Sequence, residues 1–288
     1  MNSLYRAVKK IAGVARYPLT LRPLIAVQRR IFDKDPTFLA RWGERARRAN
    51  TRISPRDQMY FGVLRTYMAA GLSGLECIEE AVVAAGVRSV GRVLDLPSGH
   101  GRVLRYLVER FPNARFTACD LDRDGVSFCA ATFGARAVVS RTDLEALTLD
   151  ERFDLIWCGS LVTHLDAPRI EALLRFFHRH LTPAGLLVFS AHGTQAAENL
   201  RGGKLFSYGL DPDAAAQVLR SYTSTGLGYA DYDARRAPGY GVTFTTPDWI
   251  RGAFQRVGGL REVYFAETRW DSHHDVYGVV RAAESGVS

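Results

Sequence analysis

Between residues 92 and 191, short apolar runs alternate with stretches of helical periodicity, and this alternation constrains the fold more than any other feature of the chain. A strand, a crossover helix and a further strand make up the repeating unit of a parallel, doubly wound sheet. The sequence therefore predicts an α/β fold. The predicted strands are Arg92–Leu96, Arg115–Asp120, Ala137–Ser140, Phe153–Cys158 and Gly185–Ala191, and the helices between them are Gly101–Phe111, Asp124–Phe133 and Pro168–Leu181.

The C-terminal region follows a different pattern. Pro247–Arg256 is predicted to be a helix that Thr246 caps, because threonine before proline is a common helix start. Two apolar runs, Leu260–Glu267 and Asp275–Arg281, follow with only a short connection between them. A connection this short favours an antiparallel pair of strands at the edge of the sheet.

Two further regions flank this core. Residues 1–87 are predicted to form a basic, mainly helical N-terminal extension, and residues 88–288 the α/β core. Residues 196–245 form a long insertion within that core, which we expect to shape a substrate site. Tyrosines can supply both apolar area and a hydroxyl to a polar or sugar-like pocket, although ordinary packing explains some of them equally well. The candidates in the insertion are Tyr208, Tyr222, Tyr229, Tyr232 and Tyr240, with Arg235 and Arg236.

Positive charge is concentrated at the N-terminus. Residues 1–52 contain 13 Lys and Arg but only three acidic residues, whereas the whole chain of 288 residues has a formal charge of +8. Apolar residues at helical spacing, such as Leu4, Val8 and Ile11, accompany this charge. The segment is typical of attachment to an anionic surface such as a membrane, of a cleaved transit peptide, or of a solvated flank packed on the core. Specific nucleic-acid binding is not expected, because no recognised binding motif accompanies the charge.

Cysteine usage and hydropathy predict the compartment. The four cysteines contain no CxxC pair, so neither a disulfide framework nor a structural zinc site is expected. No apolar run approaches the ~18 residues that span a bilayer. We therefore expect a cytoplasmic protein, with residues 1–52 as a possible peripheral contact to a membrane surface.

A small-residue turn follows the first predicted strand. The strand ends at Asp95, and Pro97, Gly99 and Gly101 then lead into a helix. Small residues allow a close approach of the backbone to a ligand, and ligands of open α/β sheets bind at the carboxyl ends of the strands. A turn of this kind is weak evidence alone, because many unrelated turns contain two glycines.

Acidic residues after the next two strands strengthen the case for a nucleoside ligand. Asp120 ends the second strand, and a carboxylate there can accept hydrogen bonds from both hydroxyls of a ribose. Asp143 follows the third strand, where its side chain can reach an adenine amino group. Asp122 is a rival for the ribose, but Asp120 is favoured because it follows the apolar strand directly.

This ordered set resembles a class I S-adenosylmethionine-dependent methyltransferase over about residues 88–282. The resemblance rests on Asp95-Leu-Pro-Ser-Gly-His-Gly101-Arg, on Asp120 and Asp143, and on the Phe153–Ser160 block with its Thr-His-Leu ending. It implies a seven-stranded sheet whose last strand is antiparallel, and S-adenosylmethionine as the cofactor, with S-adenosylhomocysteine as the product. It also implies a cofactor site in which Asp95, Gly99 and Gly101 line the methionine end, Asp120 holds the ribose and Asp143 faces the adenine, with Pro97, Leu121, Leu144 and Gly159 beside them.

The sequence departs from the family pattern at one point. Pro97 stands where the family usually has the first glycine of the loop. Proline has no backbone N–H, so the cofactor contact through that group is absent. Helices ahead of the first strand often cover the cofactor in this family, which makes Met59, Tyr60 and Tyr67 candidates for a lid.

Two histidines are candidate general bases. His164 follows the fourth strand and His192 the fifth, so either can lie near the acceptor and take a proton from an oxygen nucleophile. The alternatives are a structural hydrogen bond for His164 and a loop position without a proton role for His192. His273, His274 and Asp275 suggest a metal cluster, but adjacent histidines on a strand point to opposite faces. No metal site is therefore predicted.

The sequence leads to one preferred function and two alternatives. We expect a methyltransferase acting on an oxygen, and less readily on a nitrogen, of a small molecule or glycan, since the proline-rich loop of nucleic-acid amino methyltransferases is missing after the fourth strand. A nucleotide-dependent oxidoreductase is disfavoured, because Leu104 occupies the position of the third fingerprint glycine. A non-catalytic binding module acting through its basic N-terminal segment is the other alternative. The acceptor and the oligomeric state are left open.

Overall fold

The predicted alternation of strands and helices forms the parallel part of one sheet. A computed structural model of the chain describes residues 23–29, 36–203, 208–232 and 239–282. The first five strands are β1 (Arg92–Asp95), β2 (Arg115–Asp120), β3 (Arg136–Val139), β4 (Phe153–Cys158) and β5 (Leu181–His192). The later strands are β6 (Leu227–Asp231), β7 (Gly241–Thr245), β8 (Leu260–Trp270) and β9 (His274–Arg281).

The helices come before, between and after these strands. Residues 23–29 are helical (α1), and α2 (Pro36–Arg48) and α3 (Leu64–Ala85) precede β1. The crossover helices are α4 (Leu104–Arg110), α5 (Arg123–Phe133) and α6 (Ala167–His180), and a short 3₁₀ turn, Val162–His164, follows β4. After β5 come α7 (Thr194–Arg201), α8 (Pro212–Thr225) and α9 (Pro247–Val257).

The sheet has seven strands in the order β3-β2-β1-β4-β5-β9-β8. The first five are parallel, and the last strand of the chain, β9, lies antiparallel between β5 and β8. The predicted seven-stranded, doubly wound sheet with an antiparallel last strand is thus confirmed. The helix predicted from Gly101 begins instead at Leu104, because Gly101 has a φ of 74°, which a right-handed helix does not contain.

Successive strand residues point to opposite faces, so the sheet carries a core on each side. Val93, Leu155 and Val188 face a cluster built with α3 and α4, whereas Leu94 and Ile156 face a cluster built with α6 and α9. Asp122, Asp166 and Thr246 cap α5, α6 and α9, each accepting a backbone N–H at the helix start. The helices are thereby fixed on both faces, and the carboxyl ends of the parallel strands remain open.

The predicted insertion contains its own small unit. Helices α7 and α8 pack with the two-stranded antiparallel β6–β7 hairpin around a third apolar cluster, which includes Val218, Tyr222 and Phe244. Tyr222 is therefore a core residue, whereas Tyr232 and Tyr240 are largely exposed. Arg235 and Arg236 lie outside the described residues.

Much of the basic N-terminal segment also lies outside the described residues, including the face of Leu4, Val8 and Ile11. Its attachment to an anionic surface therefore stays a prediction. Within the described part of the chain, no helix is both long and apolar enough to cross a membrane.

Arg105 connects the N-terminal region to the turn after β1. Its guanidinium is fully buried and donates hydrogen bonds to the carbonyls of Gly101 (3.1 Å) and Arg52 (3.2 Å), to the carbonyl of Asn50, and to the Tyr67 hydroxyl (3.2 Å). A buried ion held in this way positions residues 50–52 against the Gly-rich turn.

We expect Arg105→Met to destabilise the protein by about 3 kcal/mol or more, because each hydrogen bond from a charged donor contributes about 1.5–3 kcal/mol and the Gly101 carbonyl stays buried without its donor. Urea denaturation monitored by circular dichroism measures the change. The matched control is Arg110→Met, which removes an exposed ion pair with Glu79 and should cost less than about 1 kcal/mol. Equal losses in both variants would contradict this account of Arg105.

Candidate functional site

A cavity of about 840 Å³ opens at the carboxyl ends of the parallel strands. This volume is within the range of small-molecule and cofactor sites. The residues that follow β1, β2, β3 and β4 form most of its wall, because those strands end at the same edge of the sheet. Of the predicted cofactor and catalytic residues, those that line the cavity are Asp95, Pro97, Gly99, Asp120, Leu121, Leu144, Gly159 and His164.

Hydrogen bonds fix the turn after β1 against the end of β2. The Ser98 N–H donates to the Cys119 carbonyl (3.1 Å), and the Gly99 N–H donates to Oδ2 of Asp120 (2.7 Å). Gly99 has a φ of 49°, and a Cβ on it would meet no atom within 4 Å, so its backbone faces open space. The turn therefore presents bare backbone to the cavity.

Gly101 has a different role from Gly99. Among the described residues it belongs to the packing behind the cavity and not to its wall. A Cβ on Gly101 would lie 2.5 Å from Cε2 of Phe133, and φ is 74°. Glycine is thus required here for close packing and for a left-handed conformation.

Asp120 combines a structural role with free acceptor capacity. Oδ2 accepts the Gly99 N–H at 2.7 Å, and Oδ1 accepts the Asp122 N–H at 2.9 Å. An ionised carboxylate has about four lone-pair sites, so about two remain after these two bonds. Because Asp120 lines the cavity, these sites can receive two hydroxyls of a ribose. Asp122 also lines the cavity, but its Oδ1 accepts the Asp124 N–H at the start of α5.

Asp95 is an incompletely partnered acid in the cavity wall. It is 1 % exposed, and its buried Oδ1 makes no hydrogen bond with any described residue. Burial, with a smaller effect from Asp120, raises the pKa of Asp95 well above its usual value, while Arg102 opposes this rise. A buried carboxyl oxygen that no described group hydrogen-bonds favours a cationic ligand, so the methionine end of S-adenosylmethionine, with its sulfonium and ammonium groups, fits the site at this point.

We expect Asp95→Asn to increase the stability of the unliganded protein at pH 8 and to weaken binding of S-adenosylmethionine. With a raised folded-state pKa, the native state is progressively disfavoured as pH rises from the unfolded-state value of about 3.9 to the folded-state value. The stability gain should therefore be large at pH 8 and close to zero at pH 4.

Urea denaturation at the two pH values measures this gain. Asp154→Asn is the matched control. It should lower the stability at pH 8, because the Asp154 carboxylate accepts the N–H groups of Gly91 and Arg92, each at 3.0 Å. A loss of stability in Asp95→Asn at pH 8 would mean that its carboxylate is satisfied in the native protein.

The segment after β3 forms the wall beyond Asp120. Leu121, which is 57 % exposed, lines the cavity together with Leu144, and two apolar side chains suit a flat base. Asp143 lies outside the wall, because its Oδ1 accepts the N–H groups of Glu145 (3.0 Å) and Ala146 (3.3 Å). The Asp143 side chain thus closes a local turn. It does not line the cavity, although its neighbours Thr142 and Leu144 do.

The N-terminal region covers one side of the cavity. Met59, which is 45 % exposed, and Asp57 both line it. Asp57 is held by the Tyr67 hydroxyl, which donates to Oδ2 at 2.6 Å. Of the three lid candidates only Met59 reaches the cavity, because Tyr60 and Tyr67 are buried in the core with their rings edge to face at 5.8 Å.

His164 also lines the cavity. The 3₁₀ turn after β4 places it there, and its Nδ1 is 2.8 Å from the Gly241 carbonyl, so Nδ1 carries the hydrogen. Its ring stacks on Tyr240 at a centroid distance of 5.0 Å and lies 5.9 Å from Tyr232. Burial lowers the pKa of His164, although the bond to Gly241 opposes this, so the imidazole is neutral at pH 7 and Nε2 is a free base.

His192 lies outside the cavity wall. It is buried at the end of β5, where its Nδ1 is 3.1 Å from the Thr243 carbonyl and its ring stacks on Phe244. Burial lowers the pKa of His192 well below its usual value, with smaller effects from His273 and His164. Of the two predicted bases, only His164 is therefore placed to meet a ligand in the cavity.

Several wall residues were not predicted from the sequence. Arg102, Arg169 and Trp270 line the cavity, and the Arg102 guanidinium lies 5.5 Å over the Trp270 ring. Gly159 allows Trp270 to approach, since a Cβ on that glycine would lie 2.8 Å from Cη2 of the indole. The only signal for Trp270 was its position between two strands at the sheet edge, which does not reveal which face it occupies.

Comparisons with known proteins agree with this geometry. Residues 93–185 match the family model described as a methyltransferase domain. A segment of 110 residues is 30 % identical to a malonyl-[acyl-carrier protein] O-methyltransferase from Bacillus cytotoxicus, and it covers 38 % of each chain. The chain thus spans well under half the length of this curated relative.

Solved structures share the fold over a longer stretch. An S-adenosylmethionine-dependent methyltransferase from Clostridium acetobutylicum superposes with a TM-score of 0.52 at 15 % identity, over 74 % of this chain and 92 % of that one. An amino pentose methyltransferase from Micromonospora echinaspora, solved with S-adenosylmethionine bound, gives a TM-score of 0.51 at 16 % identity, over 74 % and 92 %. At such identities the likeness establishes the fold.

Proposed function

We propose that the chain, whose residues 93–185 match a methyltransferase domain, is an S-adenosylmethionine-dependent enzyme that transfers a methyl group to an oxygen of a small molecule or glycan. The observation that carries the choice of oxygen is the placement of His164 in the cavity wall with a neutral ring and a free Nε2. A hydroxyl is a weak nucleophile until a base takes its proton.

Residues at the Gly-rich end of the cavity would hold the cofactor. The bound cofactor supplies a methyl group that its sulfonium already activates. The Asp95 carboxylate balances the cationic end, Asp120 accepts the ribose hydroxyls, and Leu121 and Leu144 enclose the base. Pro97 also lines this end, and its missing N–H removes one donor that a glycine would provide.

His164 would act as the general base at the acceptor end. Its Nδ1–H is held by the Gly241 carbonyl, so only Nε2 can accept a proton. The side chain is positioned further by Tyr240, which also lines the cavity. Nε2 would take the proton of an acceptor hydroxyl within hydrogen-bond reach, which makes that oxygen a better nucleophile for the methyl group that the cofactor would supply as its carbon–sulfur bond breaks to leave S-adenosylhomocysteine. The imidazolium would then release the proton to solvent.

The acceptor end is aromatic and partly cationic. Tyr240 offers a flat aromatic surface beside His164, and Arg169, which also lines the cavity, pairs with Asp166 at 2.6 Å. Rings that carry hydroxyl groups, such as sugars or phenols, suit an aromatic surface of this kind. The curated relative from Bacillus cytotoxicus is named as an O-methyltransferase, which supports oxygen as the acceptor atom.

Matched acceptors test the proposal. Pairs of sugars or phenols and their amino counterparts are incubated with the full chain and S-adenosylmethionine, and S-adenosylhomocysteine release is measured with the methylated product. We expect turnover of hydroxyl acceptors. Methylation of only the amino member of the pairs would replace oxygen with nitrogen, and cofactor binding without turnover of any acceptor class would favour the non-catalytic binding module.

A further inference from the structure

Three histidines meet beside the cavity without belonging to its wall. One nitrogen of His192, one of His273 and one of His274 all lie within 4.8 Å of one another. Their ring centroids are 4.8 Å apart for His192 and His274, and 4.2 Å apart for His273 and His274. His192 and His274 are buried, whereas His273 is half-buried at the surface.

The sheet topology produces this cluster. His192 at the end of β5 pairs directly with His274 at the start of the antiparallel strand β9. His273 precedes β9 and lies in the turn after Trp270, so the alternation of side chains along a strand does not separate it from His274. The prediction of no metal site assumed that His273 and His274 are neighbours on one strand and point to opposite faces. That assumption is wrong, because His273 lies in the turn.

Hydrogen bonds fix all three rings through the same nitrogen. Nδ1 of His192 lies 3.1 Å from the Thr243 carbonyl, and Nδ1 of His273 lies 2.8 Å from the Asp271 carbonyl, so each of these atoms donates a hydrogen. Nδ1 of His274 is 3.1 Å from the Ser190 hydroxyl. Nδ1 of each ring is engaged in these hydrogen bonds, which leaves Nε2 as the nitrogen for a ligand, and histidine ligands of metals are typically oriented in this way through their second nitrogen.

We propose that His192, His273 and His274 bind a divalent transition-metal ion, of the class of Zn²⁺, through their Nε2 atoms. Imidazole nitrogens are preferred ligands of zinc, copper, iron and nickel. Zinc–nitrogen bonds are about 2.0–2.1 Å, so two ligand atoms on one ion are at most about 4.2 Å apart. One ring nitrogen of each histidine lies within 4.8 Å of the others, so ligand atoms on a common ion must move slightly closer together, and a rotation of the half-buried His273 side chain can supply that movement.

The position of the site suggests what the ion does. Three protein ligands leave a fourth position open, as in zinc sites that bind water or a substrate oxygen. The Trp270 ring lies 5.0 Å from His274 and also lines the cavity. A cation bound by the histidines would thus place positive charge behind the Trp270 part of the cavity wall. This inference goes beyond the proposed function and does not depend on it.

Metal titration of the full chain tests the site without cofactor or acceptor. After removal of metals with a chelator, Zn²⁺ is titrated calorimetrically and Co²⁺ by its visible ligand-field absorption. We expect one saturable equivalent in the wild type and a loss of affinity of about 100-fold or more in His273→Gln, since changes to outer-shell partners alone cost 10- to 100-fold. His178→Gln, a half-buried histidine on α6 away from the cluster, should bind as the wild type does.

A second measurement guards against misfolding. Zn²⁺ should raise the melting temperature of the wild type and of His178→Gln, but not that of His273→Gln, because only a ligand that binds the native state stabilises it. The four cysteines are all buried, so they do not compete as ligands in the folded protein. Absence of saturable binding in the wild type, or equal affinity in His273→Gln and the wild type, would overturn the proposal and leave the proposed methyltransferase function untouched.

Discussion

Replacing Asp120 with alanine is expected to lower the affinity for S-adenosylmethionine by about 100- to 10,000-fold. The carboxylate lines the cavity and uses about half of its acceptor capacity on the N–H groups of Gly99 and Asp122. Each hydrogen bond to a charged acceptor contributes about 1.5–3 kcal/mol, so the loss of two bonds to ribose hydroxyls amounts to about 3–6 kcal/mol. Calorimetric titration of the purified variant measures the change.

Asp122 provides the matched control for Asp120. It lies two residues further along, lines the same cavity and is the rival for the ribose, but its Oδ1 is engaged by the Asp124 N–H. Asp122→Asn keeps an acceptor at this helix start, so we expect affinity within about fivefold of the wild type. Thermal melting of both variants separates a lost ligand contact from a collapsed turn. A larger loss in Asp122→Asn than in Asp120→Ala would assign the ribose to Asp122.

Replacing His164 with glutamine is expected to lower kcat by about 100- to 10,000-fold, the usual contribution of a general base, with a smaller change in KM. The dependence of kcat on pH gives independent evidence for this role. Burial lowers the pKa of His164 below the usual 6.5, so the base is neutral at pH 7 and is lost only as pH falls through that lowered value. Wild-type kcat should therefore be flat around neutrality and fall on the acid side.

The fall of kcat at low pH, the acid limb of the profile, distinguishes a His164 that takes a proton from one that only positions the acceptor. It should disappear in His164→Gln, whereas His178→Gln should keep both the limb and the rate. A variant that raises KM but leaves kcat and the acid limb intact would show that His164 positions the acceptor without taking its proton. Loss of the limb together with the rate would support the assignment of His164 as the base.

The parallel part of the fold was predictable because its signals are local. Apolar runs of strand length, the acids that end two of them and the Thr246 cap of α9 are all read along the chain, and β2 and β4 have the predicted bounds. Predicted and observed element boundaries differ where backbone conformation decides them. The positive φ of Gly101, for example, places the start of α4 three residues later than predicted. The β6–β7 hairpin was not predicted, because its partners include helices far along the insertion.

The candidate site was most predictable where a residue ends a strand or follows it directly. Asp95, Asp120 and Gly159 line the cavity for that reason. Asp143 does not, because nearby N–H groups capture its side chain, and a sequence does not show which acceptor a carboxylate chooses. The histidine cluster depends on the pairing of β5 with β9 across the sheet, so it is visible only once the register is known.

The central claim is that the cavity at the ends of β1, β2 and β4 binds S-adenosylmethionine, and calorimetric titration of the purified full chain tests it most directly. We predict saturable binding of S-adenosylmethionine and S-adenosylhomocysteine at one site, and no binding of a nicotinamide dinucleotide under the same conditions. A folded sample that binds neither methionine-derived ligand, or that binds the dinucleotide in their place, would contradict the account.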